Sequence, residues 1–315
     1  MSNTRNNGRN PQRNRRNPSP ASKRFVNLLR LLVVIALLGG CGYLFSHLEG
    51  HVPVKTEAPE NTRPAVTKHK TSSHHESYND LMAVKTNPDL KEITKSYKGM
   101  DLSFNPQYHI PNWVSWELTG AETRGEITRT NKFFADPEVE GSAETWDYSY
   151  SGYDRGHMAP AGDMRWNKEA MEQTFYMTNI VPQAKALNAG TWKNLEEKCR
   201  QWAAIDSAVY IVCGPVIDGN PIEYIGDSRV YVPRKFFKVI ISPYANPARG
   251  IGFIMPNEKV EGGMQACAVS IDSVETLTGH DFFSSLPDEI EDEIESQCDF
   301  HFWSTYSKRK ARVRR

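Results

Sequence analysis

Residues 151–163, with the sequence SGYDRGHMAPAGD, constrain the fold of this chain more than any other stretch. Asp154, Arg155 and His157 fall within four positions there, among three glycines and a proline, so little of the stretch can enter a hydrophobic core. Gly156 lets the backbone pass close to the chain opposite. Arginine holds phosphate as a permanently charged planar donor, and histidine accepts a proton near neutral pH. The stretch therefore has two interpretations, a phosphodiester-cleaving centre or a polar turn between strands in which Asp154 bonds locally.

Two segments further along the chain favour the first interpretation. TFYMTNIVPQ covers residues 174–183, and LNAGTWKNLEEKCRQW covers residues 187–202. With DRGH before them, these segments resemble the DNA/RNA non-specific endonucleases, which are nucleases of the ββα-metal (His-Me finger) type. WVSWEL, FFADP, VYIVCGPV and VPRKFFKVI resemble the same family, so the match runs from about Tyr97 to Trp303.

The resemblance implies both a fold and an activity. The expected fold is α+β, with an antiparallel β-sheet flanked by helices and a ββα-metal active site on one side. The expected activity is Mg²⁺-dependent endonucleolytic hydrolysis of DNA and RNA with little sequence preference, leaving 5′-phosphates. Mn²⁺ is the alternative ion. DNA and RNA are then the expected partners, and a homodimer is left open.

The resemblance also assigns roles to single residues. Asn188 is the expected metal ligand, because Mg²⁺ keeps several waters and often takes only one or two protein ligands. His157 is the expected general base, a role that its ordinary pKa suits without large tuning. Arg155 and Arg129 are the expected catalytic and substrate-binding cations that clamp phosphate oxygens. The spacing from Arg129 to Asp136 departs from the family pattern.

The spacing of Asn188, Trp192 and Glu196 puts all three on one face of a helix. Eight residues at the α-helical rise cover ~12 Å, too far for Asn188 and Glu196 to share an ion on one straight helix. Glu196 is therefore expected to orient water held by the ion, unless Asn188 lies in the turn before the helix. Asn188 could otherwise be a helix-entry cap. Asn179 is expected to support the site, with a turn residue as the alternative, and Asp154 to orient the DRGH backbone.

The charge distribution excludes a broadly basic nucleic-acid-binding body. The chain has 315 residues, with 38 basic and 38 acidic side chains. Residues 1–30 hold eight basic residues, and residues 308–315 hold six, with no acid in either segment. The middle of the chain thus carries 24 basic against 38 acidic residues. Binding to nucleic acid must then depend on a local site with its metal, or on the tails.

The N-terminal region predicts membrane attachment. Residues 31–48 form an apolar run of 18 residues without Lys, Arg, Asp or Glu, close to the ~20 residues of a spanning helix. The positive charges before it place the N-terminus in the cytoplasm and the remaining chain outside, in the periplasm or at the cell surface. LGGC at residues 38–41 suggests the alternative, a lipoprotein anchored at Cys41. The uncleaved signal anchor is favoured because the preceding region is long for a signal peptide.

Composition and hydrophobic pattern divide the chain into five segments. Residues 1–30 are predicted to be a disordered basic cytoplasmic segment, 31–48 a transmembrane anchor, 49–95 a linker, 96–307 the endonuclease domain and 308–315 a basic tail. Within the domain, the pattern predicts strands at 113–118, 207–212, 235–241 and 250–255, and helices at 166–173, 191–204, 269–278 and 287–297. Thr191 is the expected N-cap of its helix.

The cysteines suggest one disulfide bridge. Cys213 lies in the apolar run VYIVCGPV and is expected to be a buried thiol. Cys267 and Cys298 are the expected pair, since some secreted members of the resembled family carry a bridge at similar positions. Such a bridge would persist outside the cytoplasm.

Two other functions remain open from the sequence. The first is a non-catalytic nucleic-acid-binding or uptake protein on the same fold, which the presence of every expected catalytic residue disfavours. The second is a nuclease restricted to one sugar or one structure. Contacts to phosphate carry no base identity, so the sequence does not separate DNA from RNA as the preferred substrate.

Overall fold

The computed structural model describes residues 82–286 and 288–305. The predicted cytoplasmic segment, membrane anchor and basic tail lie outside these residues, as does most of the predicted linker. Within the described part of the chain, no helix is long and apolar enough to cross a membrane.

The described elements include the thirteen strands and five α-helices that follow, together with shorter helical segments. The strands are β1 (Val84–Lys85), β2 (Ile93–Ser96), β3 (Asp101–Asn105), β4 (Ile110–Thr119), β5 (Asp154–His157), β6 (Ile180–Gln183), β7 (Ala208–Pro215), β8 (Tyr224–Ile225), β9 (Val230–Tyr231), β10 (Lys235–Ser242), β11 (Arg249–Pro256), β12 (Ala268–Val269) and β13 (Asp281–Phe282). The helices are α1 (Lys168–Gln173), α2 (Lys185–Leu187), α3 (Lys193–Asp206), α4 (Ile271–Thr278) and α5 (Asp288–Glu295).

Seven strands form the central sheet, in the order β12-β11-β10-β7-β4-β3-β2. Every neighbouring pair in it is antiparallel, which confirms the predicted mixed fold with an antiparallel sheet. Strand β7 is buried at all eight positions, and β10 at all but its first. Such continuous burial means that both faces of the sheet are covered, so these strands are mostly apolar instead of alternating, with Lys238 of β10 as a buried exception.

Two hydrophobic clusters cover the two faces. Trp116, Ile211 and Ile240 belong to one cluster, which also contains Leu195 and Trp202 of α3. Residues of the opposite parity on the same strands belong to the other cluster, which receives α4 and α5. The DRGH segment and α3 therefore lie on one face, and the C-terminal helices lie on the other.

The folded domain begins before the predicted boundary at residue 96. Ile93–Ser96 pairs with β3 at the edge of the main sheet, and Val84–Lys85 pairs with Asp281–Phe282. The linker predicted over residues 49–95 therefore ends before Val84. Both strands are short and partly exposed, so they carry little hydrophobic signal of their own, and β1 pairs with residues nearly two hundred positions away.

Cys267 and Cys298 are both free thiols in the structure, which contradicts the predicted bridge between them. Cys267 packs in the hydrophobic cluster on the α3 side, whereas Cys298 is exposed after α5. The two side chains thus lie in different environments. Cys213 is a buried free thiol, as predicted, and its Sγ donates to the carbonyl oxygen of Met158 at 3.3 Å.

Candidate active site

The DRGH residues form a strand, not a polar turn. Asp154–His157 pairs antiparallel with Ile180–Gln183, so that Asp154 lies opposite Gln183 and His157 lies opposite Ile180. Gly156 is required by this pairing, because a Cβ atom there would lie 2.4 Å from Oε1 and 2.6 Å from Cβ of Gln183. The close approach of the two strands therefore depends on the missing side chain.

The chain leaves β6 for a helical segment with a kink. Helix α2 leads into a π-helical segment over Asn188–Trp192, and α3 begins at Lys193. Gly190 has φ −106° and ψ −114°, which is not helical. Asn188 thus precedes the kink while Glu196 follows it, so the two do not share one straight helix. The predicted N-cap at Thr191 is wrong, because Trp192 occupies the cap position with no side-chain cap bond.

Asp154 holds the side chain of Asn188. Asn188 Nδ2 donates to Asp154 Oδ2 at 2.9 Å. Among the residues that the structure describes, nothing donates a hydrogen bond to Asn188 Oδ1. Asn188 is therefore not a helix-entry cap, and its amide oxygen is left for an outside ligand. A neutral oxygen beside a carboxylate fits a hard cation such as Mg²⁺.

His157 lies in an aromatic enclosure. The centre of its ring lies 4.8 Å from that of Phe175 and 5.3 Å from that of Phe133. His157 is 8% exposed. Trp192 Nε1 donates to the carbonyl oxygen of His157 at 3.3 Å, and this bond connects the π-helical segment to β5. His157 Nε2 is buried and has no hydrogen-bond partner in the described part of the chain.

The pKa of His157 differs from the sequence expectation. Burial lowers the pKa of His157, and the positive charge of Arg129 lowers it further, to about 3. The expectation of an unperturbed pKa is therefore wrong, because Phe133 and Phe175 come from segments that the motif does not contain. The imidazole is therefore neutral near pH 7, and the same burial makes it a weaker base than a free histidine.

Arg129 and Glu196 belong to the same electrostatic environment. Burial raises the pKa of Glu196 to about 7, and the charges of Lys238, Arg200 and Arg129 oppose that rise. Arg129 thus influences both His157 and Glu196. Its guanidinium lies 5.3 Å from the centre of the Phe175 ring, and its Nε donates to Asn131 Oδ1 at 3.2 Å. Arg129 is exposed, so its charge faces solvent beside the buried histidine.

Arg155 contacts the segment before β5 and two aromatic rings. It donates to the carbonyl oxygen of Thr145 at 2.6 Å, and its guanidinium lies 5.4 Å from the Phe133 ring and 5.9 Å from the Tyr148 ring. These contacts make Arg155 a support for the loop that precedes β5. Its phosphate-clamping role stays a prediction.

Asn179 fastens the segment that follows His157. Its Oδ1 accepts from the amide of Ala159 at 2.9 Å, and its Nδ2 donates to the carbonyl oxygens of Ala159 and Thr174. The side chain is fully buried. These bonds hold Ala159, two residues after His157, and the supporting role of Asn179 stays a prediction.

A buried cation lies beneath the site and was not among the predicted site residues. Lys238 on β10 is 1% exposed, and its Nζ lies 4.3 Å from the ring of Trp192 and 5.0 Å from that of Trp116. Its Nζ has no hydrogen-bond partner in the described residues. A charged residue in the middle of the apolar strand KFFKVIIS was the signal that could have identified it.

A buried ion pair lies beside this lysine. Asp163, the last residue of the SGYDRGHMAPAGD stretch, accepts from Arg200 NH1 at 2.7 Å and from Trp116 Nε1 at 3.1 Å. Arg200 lies one helical turn after Glu196 on α3. The pair therefore joins the end of the motif to the helix that carries Glu196. An acid and a base at these two positions gave no recognisable spacing in the sequence.

Exposed aromatic rings flank the entry to β5. Trp146 is 60% exposed, and Tyr150 is fully exposed with φ 59°, a left-handed backbone conformation. The Arg155 contact with Thr145 ties this loop to the DRGH strand. Exposed rings provide faces on which bases can stack.

Comparison with known proteins agrees with this geometry. The family model for DNA/RNA non-specific endonucleases matches residues 77–289. A nuclease of Nostoc sp. is 31% identical over 286 residues, covering 86% of this chain and 97% of its own length. The human mitochondrial nuclease EXOG is 34% identical over 210 residues, covering 61% of this chain and 57% of its own length.

A solved structure has the same fold. The crystal structure of the EndoG/EndoGI complex, described as showing the mechanism of EndoG inhibition, superimposes with a TM-score of 0.59 and 29% identity. The similarity covers 63% of this chain and 89% of that one. This chain belongs to the DNA/RNA non-specific endonuclease family, whose members are hydrolytic nucleases.

Proposed function

We propose that this chain is a Mg²⁺-dependent endonuclease that cuts DNA and RNA with little sequence preference and leaves 5′-phosphates. The observation that supports it most is the Asp154–Asn188 hydrogen bond, which joins the DRGH strand to the kinked helical segment and leaves the amide oxygen of Asn188 without a donor among the described residues. Residues 31–48 extend the proposal to membrane attachment, with the nuclease domain outside the cytoplasm.

Each residue has a separate task in this proposal. Asn188 would hold Mg²⁺, and the bound ion would supply positive charge to the phosphate and to the leaving oxygen. His157 accepts the proton of the attacking water through Nδ1, because Nε2 is enclosed. Arg129 faces solvent and attracts the phosphate. Glu196, with a pKa of about 7, orients water beside the site when it is ionised.

The exposed rings of Trp146 and Tyr150 extend the proposal to substrate binding. Stacking on an aromatic ring tolerates any base, since every base has a π-face. Phosphate contacts likewise carry no base identity. Both kinds of contact favour binding without sequence preference, and neither requires a broadly basic surface.

Digestion of supercoiled plasmid and of total RNA by the full chain tests the proposal. Mg²⁺ should support cleavage of both substrates, and EDTA should stop it. Asn188→Ala should need more Mg²⁺ for the same rate, whereas Asn194→Ala, the same change at an exposed position of α3, should behave as the wild type. Products should accept a 5′-label from a kinase only after phosphatase treatment.

Two outcomes would contradict the proposal. Cleavage that persists in EDTA would exclude the metal. Binding of both nucleic acids without cleavage by the folded wild-type chain would favour the non-catalytic alternative.

A further inference from the structure

Three carboxylates meet on the sheet face opposite the nuclease site. Asp272 and Glu275 belong to α4, and Glu295 is the last residue of α5. One oxygen of each lies within 4.8 Å of an oxygen of the others. None of the three forms an ion pair with lysine or arginine in the part of the chain that the structure describes.

The buried member of this group has an unsatisfied oxygen. Glu295 is 4% exposed, and its Oε1 is buried without a hydrogen-bond partner among the described residues. Burial of an unpaired carboxylate is costly, and such groups are normally paired, protonated or bound to a metal. Glu275 differs, since its Oε1 accepts from the Phe282 amide at 2.7 Å, which fixes its orientation.

We propose that Asp272, Glu275 and Glu295 bind one Ca²⁺ ion that joins α4 to α5. Ca²⁺ binds six to eight oxygens at 2.3–2.6 Å, so two ligands of one ion lie at most about 5 Å apart. The separations within this group satisfy that limit. Mg²⁺ needs shorter bonds in a near-ideal octahedron, which makes it the poorer fit. Asp272 is exposed, so water can complete the coordination on its side.

The position of the group gives the ion a structural effect. A Cβ at Gly250 of β11 would lie 2.7 Å from Ile271 of α4 and 2.8 Å from Ile294 of α5, so both helices rest on the same point of the sheet. Their acidic residues repel one another there. A divalent cation would replace this repulsion with attraction.

Thermal unfolding of the full chain, stripped with EDTA and returned to metal-free buffer at pH 8, tests the site. CaCl₂ at about 100 times the dissociation constant should raise the melting temperature by roughly 5–10 °C for a domain of this size. Glu295→Gln and Asp272→Asn should remove most of that shift. Asp272 is exposed, so its substitution does not threaten folding. Glu293→Gln, the same change at an exposed position of α5, should keep the shift.

A second comparison separates this site from the nuclease site. The Ca²⁺ shift should persist in Asn188→Ala, since the proposal is independent of the nuclease function. Loss of the shift in Asn188→Ala, or its retention in both Glu295→Gln and Asp272→Asn, would place the ion elsewhere and overturn the proposal. No Ca²⁺ shift in the wild type, with a higher melting temperature for Glu295→Gln, would show a simply protonated carboxyl and overturn it as well.

Discussion

Replacement of Asp154 tests how the proposed metal ligand is held. Asp154 Oδ2 accepts from Asn188 Nδ2 at 2.9 Å, and this bond directs Asn188 Oδ1 away from the carboxylate. Asp154→Ala removes the acceptor, and the amide group of Asn188 is then free to rotate. A hydrogen bond to a charged group contributes about 1.5–3 kcal/mol. At 1.4 kcal/mol for each factor of ten, Mg²⁺ binding should weaken by about 10- to 100-fold.

Plasmid nicking measured against MgCl₂ concentration reports this effect. The Mg²⁺ concentration for half-maximal rate should rise by about 10- to 100-fold in Asp154→Ala, and the rate at saturating Mg²⁺ should largely recover. Asp154→Asn keeps an acceptor oxygen without the charge, so its shift should be smaller. Asp227→Ala, the same change at an exposed residue, provides the control.

The two possible failures have different meanings. An unchanged Mg²⁺ requirement in folded Asp154→Ala would show that Asn188 does not depend on Asp154 for its orientation. A loss of activity that Mg²⁺ cannot restore would show that Asp154 contributes to the reaction in some other way.

Three further predictions concern neighbouring residues. His157→Ala should lower the cleavage rate by about 10²–10⁴-fold while nucleic-acid binding is retained, and near-normal activity of the purified variant would exclude the general-base role. Wild-type activity should rise with pH through about 7, because Glu196 ionises there. Glu196→Gln should be roughly 10- to 100-fold slower, and its activity should lack that rise. An unchanged pH profile in the variant would show that Glu196 takes no part in the reaction. Gly156→Ala should destabilise the domain by about 1–3 kcal/mol through overlap with Gln183, seen as a lower melting temperature, and an unchanged temperature would show that β5 and β6 separate easily.

The ordered core elements were predictable because they carry their own signal. The buried strands β7, β10 and β11 are mostly apolar. The predicted strands at 235–241 and 250–255 fall within β10 and β11, and the one at 207–212 begins one residue before β7. The helices predicted at 166–173 and 269–278 correspond to α1 and α4 with shifted ends. Burial of both faces imposes an apolar residue at nearly every position, and that requirement is visible locally.

The sequence by itself also determined the family and the candidate residues, since DRGH and the asparagine–glutamate helix occur in a specific order. Only the tertiary structure decided the pKa values and the side-chain orientations of these residues. The pKa of His157 falls because Phe133, Phe175 and Arg129 come from segments 18 to 28 positions away in the chain. The orientation of Asn188, in the π-helical segment, depends on Asp154 of β5, and Trp192 of the same segment lies against the buried Lys238. Periodicity specifies which residues are buried, but it does not specify which distant groups bury them, and pKa values and side-chain orientation depend on those distant groups.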